Sequence, residues 1–135
     1  VYKRQHIEEL GIGNSVYLKD KVITIIDIIS SESNPCIYYE DSNKLPTGIA
    51  IDEIAGIPLP NQNINDMLND DFSIYGLKAQ IEDNSVDFFN DKNERVGFTQ
   101  IKYVHQLQNM YRALTGFTKT LDYDANTQSL SCRTL

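Results

Sequence analysis

The residues of this chain that could do chemistry are His105, two distant cysteines and a scatter of carboxylates. His105 stands near Tyr103, with Gln108 about one helical turn further on. Histidine is the usual general base near neutral pH. A hydrolase would need it beside a nucleophile and an orienting group. The only other histidine is His6, and no such set can be named around either. A helix-borne histidine flanked by apolar residues is more commonly a packing or hydrogen-bonding residue. No catalytic residue is therefore assigned.

Asp122, Asp124 and Asn126 have the spacing of the first half of a calcium loop. The sixth position, where glycine belongs, is Thr127, and the twelfth is Arg133 rather than glutamate. Arginine there opposes a cation, so a turn built on Asp and Asn is expected. Gly11 and Gly13 lack the preceding strand, the third glycine and the Lys-Ser/Thr of a phosphate loop. Cys36 and Cys132 belong to no CxxC or Cys/His cluster, which points to a reducing compartment, with a single disulfide between them as the alternative, and to no zinc site. No metal and no cofactor are expected.

The middle of the chain is acidic: Asp66, Asp70, Asp71, Glu82, Asp83, Asp87, Asp91 and Glu94. Paired carboxylates could hold a metal or hydrolyse a glycoside. Most of these fall in expected turns, where Asp is common. Tyr17, Tyr38, Tyr39, Tyr75, Tyr103, Tyr111 and Tyr123 suit strands and, where exposed, interfaces. Tyr38 and Tyr39 are neighbours on one expected strand and cannot both face inward, so one of them is a candidate contact residue.

With 19 acidic and 12 basic side chains the net charge is −7. An acidic chain repels phosphate backbones, so nucleic acid and anionic membranes are disfavoured partners. No run approaches the roughly 20 apolar residues of a membrane span. No apolar stretch follows the charged start as a signal peptide would require. A cytoplasmic location is expected. The 135 residues, 41% of them hydrophobic, suit one domain with its own core.

The elements around these residues follow from periodicity. The clearest is a helix over residues 103–116, in which Ile101, Val104, Leu107, Tyr111 and Leu114 form one apolar face. Lys102, Gln106, Asn109 and Arg112 are expected to face water, and Gly116 to cap the end. Before it, strands are expected at 16–18, 22–29, 36–40 and 49–54. The β-branched run at 22–29 reads as a central strand covered on both faces. A short helix over 61–69 follows the Ile57-Pro-Leu-Pro60 connector. A meander of strands at 72–81, 86–89 and 95–100 comes next, and a terminal hairpin turns around Asp124 to Thr127. The expected fold class is α+β: an N-terminal small SH3-like β-barrel or curled sheet, a short helix, an antiparallel meander, one long C-terminal amphipathic helix and a terminal hairpin.

Val1-Tyr2-Lys3-Arg4-Gln5 resembles the translated mosaic-end adaptor of transposase-based sequencing libraries, so residues 1–5 are set apart from the fold. Residues 6–135 are expected to form a single domain with a β-rich half (6–57), a helix–meander–helix half (58–116) and a hairpin tail (117–135).

Leu10-Gly-Ile-Gly-Asn14, Ile57-Pro-Leu59, Tyr103-Val-His-Gln-Leu-Gln-Asn109 and Ala113-Leu-Thr-Gly116 occur in that order. Their succession resembles a family of small uncharacterised proteins encoded in phages and mobile elements of gut Bacteroidetes. The resemblance runs from Leu10 to Gly116, and the tail beyond departs from it. It implies an origin and a single-domain build, and carries over no catalytic residue. The leading expectation is a non-enzymatic module binding an unknown protein partner, through Tyr38 or Tyr39. The alternative is an acidic nucleic-acid mimic, or antagonist of a host DNA-binding protein, using Asp83, Asp87 and Asp91. A hydrolase built on His105 stands below both.

Overall fold

A computed structural model describes residues 10–29, 35–60, 78–82 and 85–135. The contacts divide the chain into two compact units: Val1–Pro58 with Tyr103–Asn109, and Leu59–Lys102 with Met110–Leu135.

The first unit holds two three-stranded antiparallel sheets. In one, β1 (Ser15–Leu18) lies between β2 (Lys21–Thr24) and β6 (Ile54–Ala55). In the other, β4 (Cys36–Glu40) lies between β3 (Asp27–Ile29) and β5 (Pro46–Ala50). The β-branched run at 22–29 is thus not one central strand. Ile25 breaks it by exchanging backbone bonds with the preceding turn: Gly13 N–H donates to its carbonyl at 2.7 Å, and its own N–H donates to the Asn14 carbonyl at 2.9 Å. The Ile26 N–H then passes to the Tyr38 carbonyl at 2.8 Å, so the chain leaves one sheet and enters the other. Burial alternates along it. Ile23 and Ile25 are buried, whereas Thr24 and Ile26 are exposed, so the run is covered on one face only. The core of this unit is Leu10, Val16, Ile23, Ile25, Ile37, Ile51 and Ile54.

The strand expected at 49–54 is likewise divided. Pro46 opens β5 on a sheet edge, where its missing N–H costs nothing. After Ala50 a single 3₁₀ turn (Ile51–Glu53) intervenes before β6. The expected SH3-like barrel is not formed: the described strands make small separate sheets with no closed barrel.

In the second unit β7 (Lys78–Glu82), β8 (Ser85–Phe89) and β9 (Arg95–Gln100) form a meander, with a bulge at Phe88/Phe89. Asn90 Oδ1 accepts the N–H groups of Lys92 and Glu94 at 2.9 Å each, which closes the turn between β8 and β9. β10 (Lys119–Asp124) pairs in register with β11 (Ser129–Thr134). The helix expected at 61–69, most of the strand expected at 72–81 and the turn at 83–84 fall outside the described residues.

The one helix among the described residues, α1 (Val104–Leu114), has 11 residues. The expectation of a long C-terminal helix is therefore corrected, as is the α+β class: the architecture is mostly small antiparallel sheets with one short helix. Local chemistry stops the helix early. Phe117 N–H bonds back to the Arg112 carbonyl at 2.8 Å, and Gly116 and Phe117 adopt φ of 64° and 62°, a left-handed reversal that ends a helix. β10 begins two residues later.

The polar side of α1 also departs from expectation. Gln108 is buried, and Asn109 is half-buried, although a simple helical stripe puts Asn109 toward water. Gln108 Oε1 accepts the Ser15 N–H at 2.9 Å, and Asn109 Oδ1 accepts Asn14 Nδ2–H at 2.8 Å. Buried amides with matched partners avoid the penalty that would otherwise drive them out.

Candidate functional site

Strand alternation separates the two tyrosines of β4. On β4, Ile37 is fully buried, and Ile28, Tyr39 and Ile49 pack with it against the core. Residues alternating with these point the other way. Tyr39 is therefore an inward-facing residue, with Lys21 Nζ 5.8 Å from its ring centroid. Tyr38 lies on the outer face.

The register lays that outer face out in rows. Asp27, Tyr38 and Gly48 are cross-strand partners, as are Ile29, Cys36 and Ala50, and Glu40 pairs with Pro46. Ile29 is 45% exposed. A Cβ placed on Gly48 would lie 2.9 Å from Tyr38 Cε1 and 3.1 Å from its Cζ, so the tyrosine ring lies over the glycine backbone. A ring laid on glycine is held in place at low entropic cost and offers its other side to solvent. The result is a three-stranded apolar face with an aromatic at its centre and two carboxylates, Asp27 and Glu40.

Beside the β1–β2 turn lies an open depression of about 500 Å³, lined by Leu18, Lys19, Asp20, Lys21, Ile49 and Glu53. Its two lysines and two carboxylates balance, so it has no charge preference for a ligand.

Among the described residues the acidic candidates are not assembled. Asp66, Asp70, Asp71 and Asp83 lie outside the described residues. Asp87, on β8, has Arg95 Nε at 3.3 Å, and its side chain is 24% exposed. The same guanidinium sits 4.7 Å from the centroid of the Phe98 ring. Asp91 is exposed in the β8–β9 turn. Tyr38 and Tyr39 belong to the first unit, Asp87 and Asp91 to the second.

His105 is 0% exposed and stacks on Tyr103 with centroids 5.6 Å apart and planes 8° from parallel. Gln108 is committed to Ser15. His105 and Gln108 are thus packed within the first unit, with Tyr103 half-buried beside them. The calcium-like residues are used otherwise. Arg133 Nε donates to Asp122 Oδ2 at 2.6 Å, and Asp124 Oδ1 accepts the Asn126 N–H at 2.8 Å. Among the described residues no three His, Cys, Asp or Glu side chains gather as metal ligands. Cys36 is half-buried, and Cys132 is exposed with its Sγ 2.8 Å from the Tyr111 hydroxyl.

Reading the sequence alone missed the neighbours of Tyr38: Asp27, Ile29, Glu40, Gly48 and Ala50. The alternation in Cys36–Glu40 was a usable signal. The hairpin register that brings β3 and β5 alongside was not visible.

Compared with protein-family models, with curated proteins and with solved structures, the chain matches none. Among the described residues no helix is long and apolar enough to cross a membrane.

Proposed function

We propose that this chain is a non-enzymatic protein-binding module whose contact surface is the outer face of β3–β4–β5. The observation that carries the reading is the placement of Tyr38 over Gly48, amid Ile29, Cys36, Ala50 and Pro46 on an open sheet face. A pinned aromatic in an apolar surround is the usual make-up of an interface hot spot. The proposed setting is the cytoplasm of a gut Bacteroidetes host, with a phage or mobile-element origin. The free thiols of Cys36 and Cys132 support the compartment, and the resemblance of the helix motif supports the origin.

The acidic-mimic alternative has less support, because Arg95 cancels the charge of Asp87 locally. Affinity capture from a Bacteroidetes lysate separates the two. A protein retained by the wild type and by Asp87→Asn/Asp91→Asn, but lost with Tyr38→Ala, supports the module. A protein lost with the acidic pair and kept by Tyr38→Ala overturns it in favour of the mimic.

A further inference from the structure

The outer face of β3–β4–β5 carries a more specific chemistry than apolar contact, and the inference rests on the protein-binding reading above. We propose that Tyr38, Asp27 and Glu40 form a docking site for an arginine side chain of a partner peptide, with an apolar neighbour of that arginine lying over Ile29 and Ala50.

The geometry follows from the register. Asp27 is the direct cross-strand partner of Tyr38 on β3, and Gly48 is its partner on β5. Directly paired residues hold their Cβ atoms about 5 Å apart. Glu40 is two residues along the same strand and hence on the same face, about 7 Å away. The Tyr38 ring leans over Gly48, away from the Asp27 side. The aromatic therefore has a carboxylate across one strand gap and a second one along the strand.

Among the described residues of the three strands, this face carries these two carboxylates and no basic side chain. Asp27 uses Oδ1 to accept the Ile28 N–H at 2.8 Å, which leaves Oδ2 for a ligand. Among the described residues no cation pairs with Asp27 or Glu40. A guanidinium suits this arrangement better than an ammonium. It is planar, stacks on an aromatic face, and carries a fork of donors matched to carboxylates. A lysine offers a compact, strongly hydrated charge and satisfies one contact at a time. The row of Ile29, Cys36 and Ala50 lies beside the Tyr38 row and accepts an apolar side chain next to the arginine.

The test uses two fluorescein-labelled octapeptides, alike except at the centre: one carries Leu-Arg-Leu, the other Leu-citrulline-Leu. Citrulline keeps the shape of arginine and removes its charge. Anisotropy titration of the full chain should show saturable binding of the arginine peptide, about tenfold weaker for citrulline. Tyr38→Ala should abolish binding with an unchanged circular dichroism spectrum, whereas Tyr38→Phe should keep most of it. Asp27→Asn with Glu40→Gln should weaken only the arginine peptide, and Asp91→Asn with Glu94→Gln should leave both peptides unaffected. Equal binding of the two peptides, both lost with Tyr38→Ala, overturns the arginine assignment and leaves the binding-face reading standing. Binding that Tyr38→Ala leaves intact overturns both, and absence of saturable binding overturns the arginine site.

Discussion

Asn14 donates from Nδ2 to Asn109 Oδ1 at 2.8 Å, joining two residues 95 positions apart. The same Asn14 accepts the Gly11 N–H on its Oδ1 at 2.7 Å, so one buried amide closes the 10–14 turn and fastens it to α1. The next two residues repeat the tie, Ser15 N–H to Gln108 Oε1. A Cβ on Gly11 would lie 3.0 Å from Asn109 Oδ1, so the turn approaches the helix as closely as a glycine allows. The motifs Leu10-Gly-Ile-Gly-Asn14 and Gln106-Leu-Gln-Asn109 therefore meet in a structural clamp.

Removing one side of that clamp should be costly. Asn109→Ala strands the buried Asn14 amide and is expected to destabilise the fold by about 1–3 kcal/mol. Denaturant melts of Asn14→Ala, Asn109→Ala and the double variant measure it. The two singles should not add, because each removes the same bond.

Two glycines should behave oppositely. A Cβ on Gly56 would lie 2.5 Å from Tyr103 Cδ1 and Cγ, so the ring packs directly on this backbone. Gly56→Ala should cost about 1–3 kcal/mol through overpacking. Gly97, on β9, has nothing within 4 Å of such a Cβ, and Gly97→Ala should be neutral or stabilising by about 0.5–1 kcal/mol. Thermal melts of the two variants should move in different directions or by clearly different amounts.

Acid should loosen the β4–β5 turn. Asp41 Oδ1 accepts the N–H groups of Leu45 at 3.0 Å and Asn43 at 2.8 Å. The Leu45 bond foremost, helped by those from Asn43 and Thr47 and by the attraction of Lys21, outweighs the opposing desolvation and holds its carboxyl below the ordinary value. A lowered folded pKa means a contribution to stability that is full above the unfolded pKa of about 3.9. It is lost as pH falls through the folded value. Urea melts across the acid range should show this loss in the wild type and not in Asp41→Asn.

Calcium should leave the terminal hairpin unchanged. Asp122 is bound by Arg133, an exposed pair with side chains 46% and 59% accessible. Arg133→Ala should change stability by no more than about 1 kcal/mol, as exposed ion pairs do. A calcium-dependent rise in melting temperature, in the wild type or this variant, would contradict the assignment of Asp122 and Asp124 as turn residues.

What the sequence determined by itself was local. Asp41, Asn90 and Asp124 are residues that bond to the backbone two or four positions on, so their turns depend on near neighbours alone. The apolar face of α1 was legible for the same reason: Val104, Leu107 and Tyr111 recur at the helical period and are fully buried. Tertiary structure decided where a local pattern is overridden by a distant partner. Gln108 and Asn109 read as polar side chains, and only the Asn14–Ser15 backbone and amide, over 90 positions away, make their burial affordable. The run at 22–29 carries no mark of its break, because the break is made by Gly13, Asn14 and Tyr38 bonding to Ile25 and Ile26. Tyr38 and Tyr39 are interchangeable in a composition. The pleat separates them, and the pairing of β4 with β3 and β5 supplies Asp27 and Gly48, because side chains on different strands share a face only once a register exists.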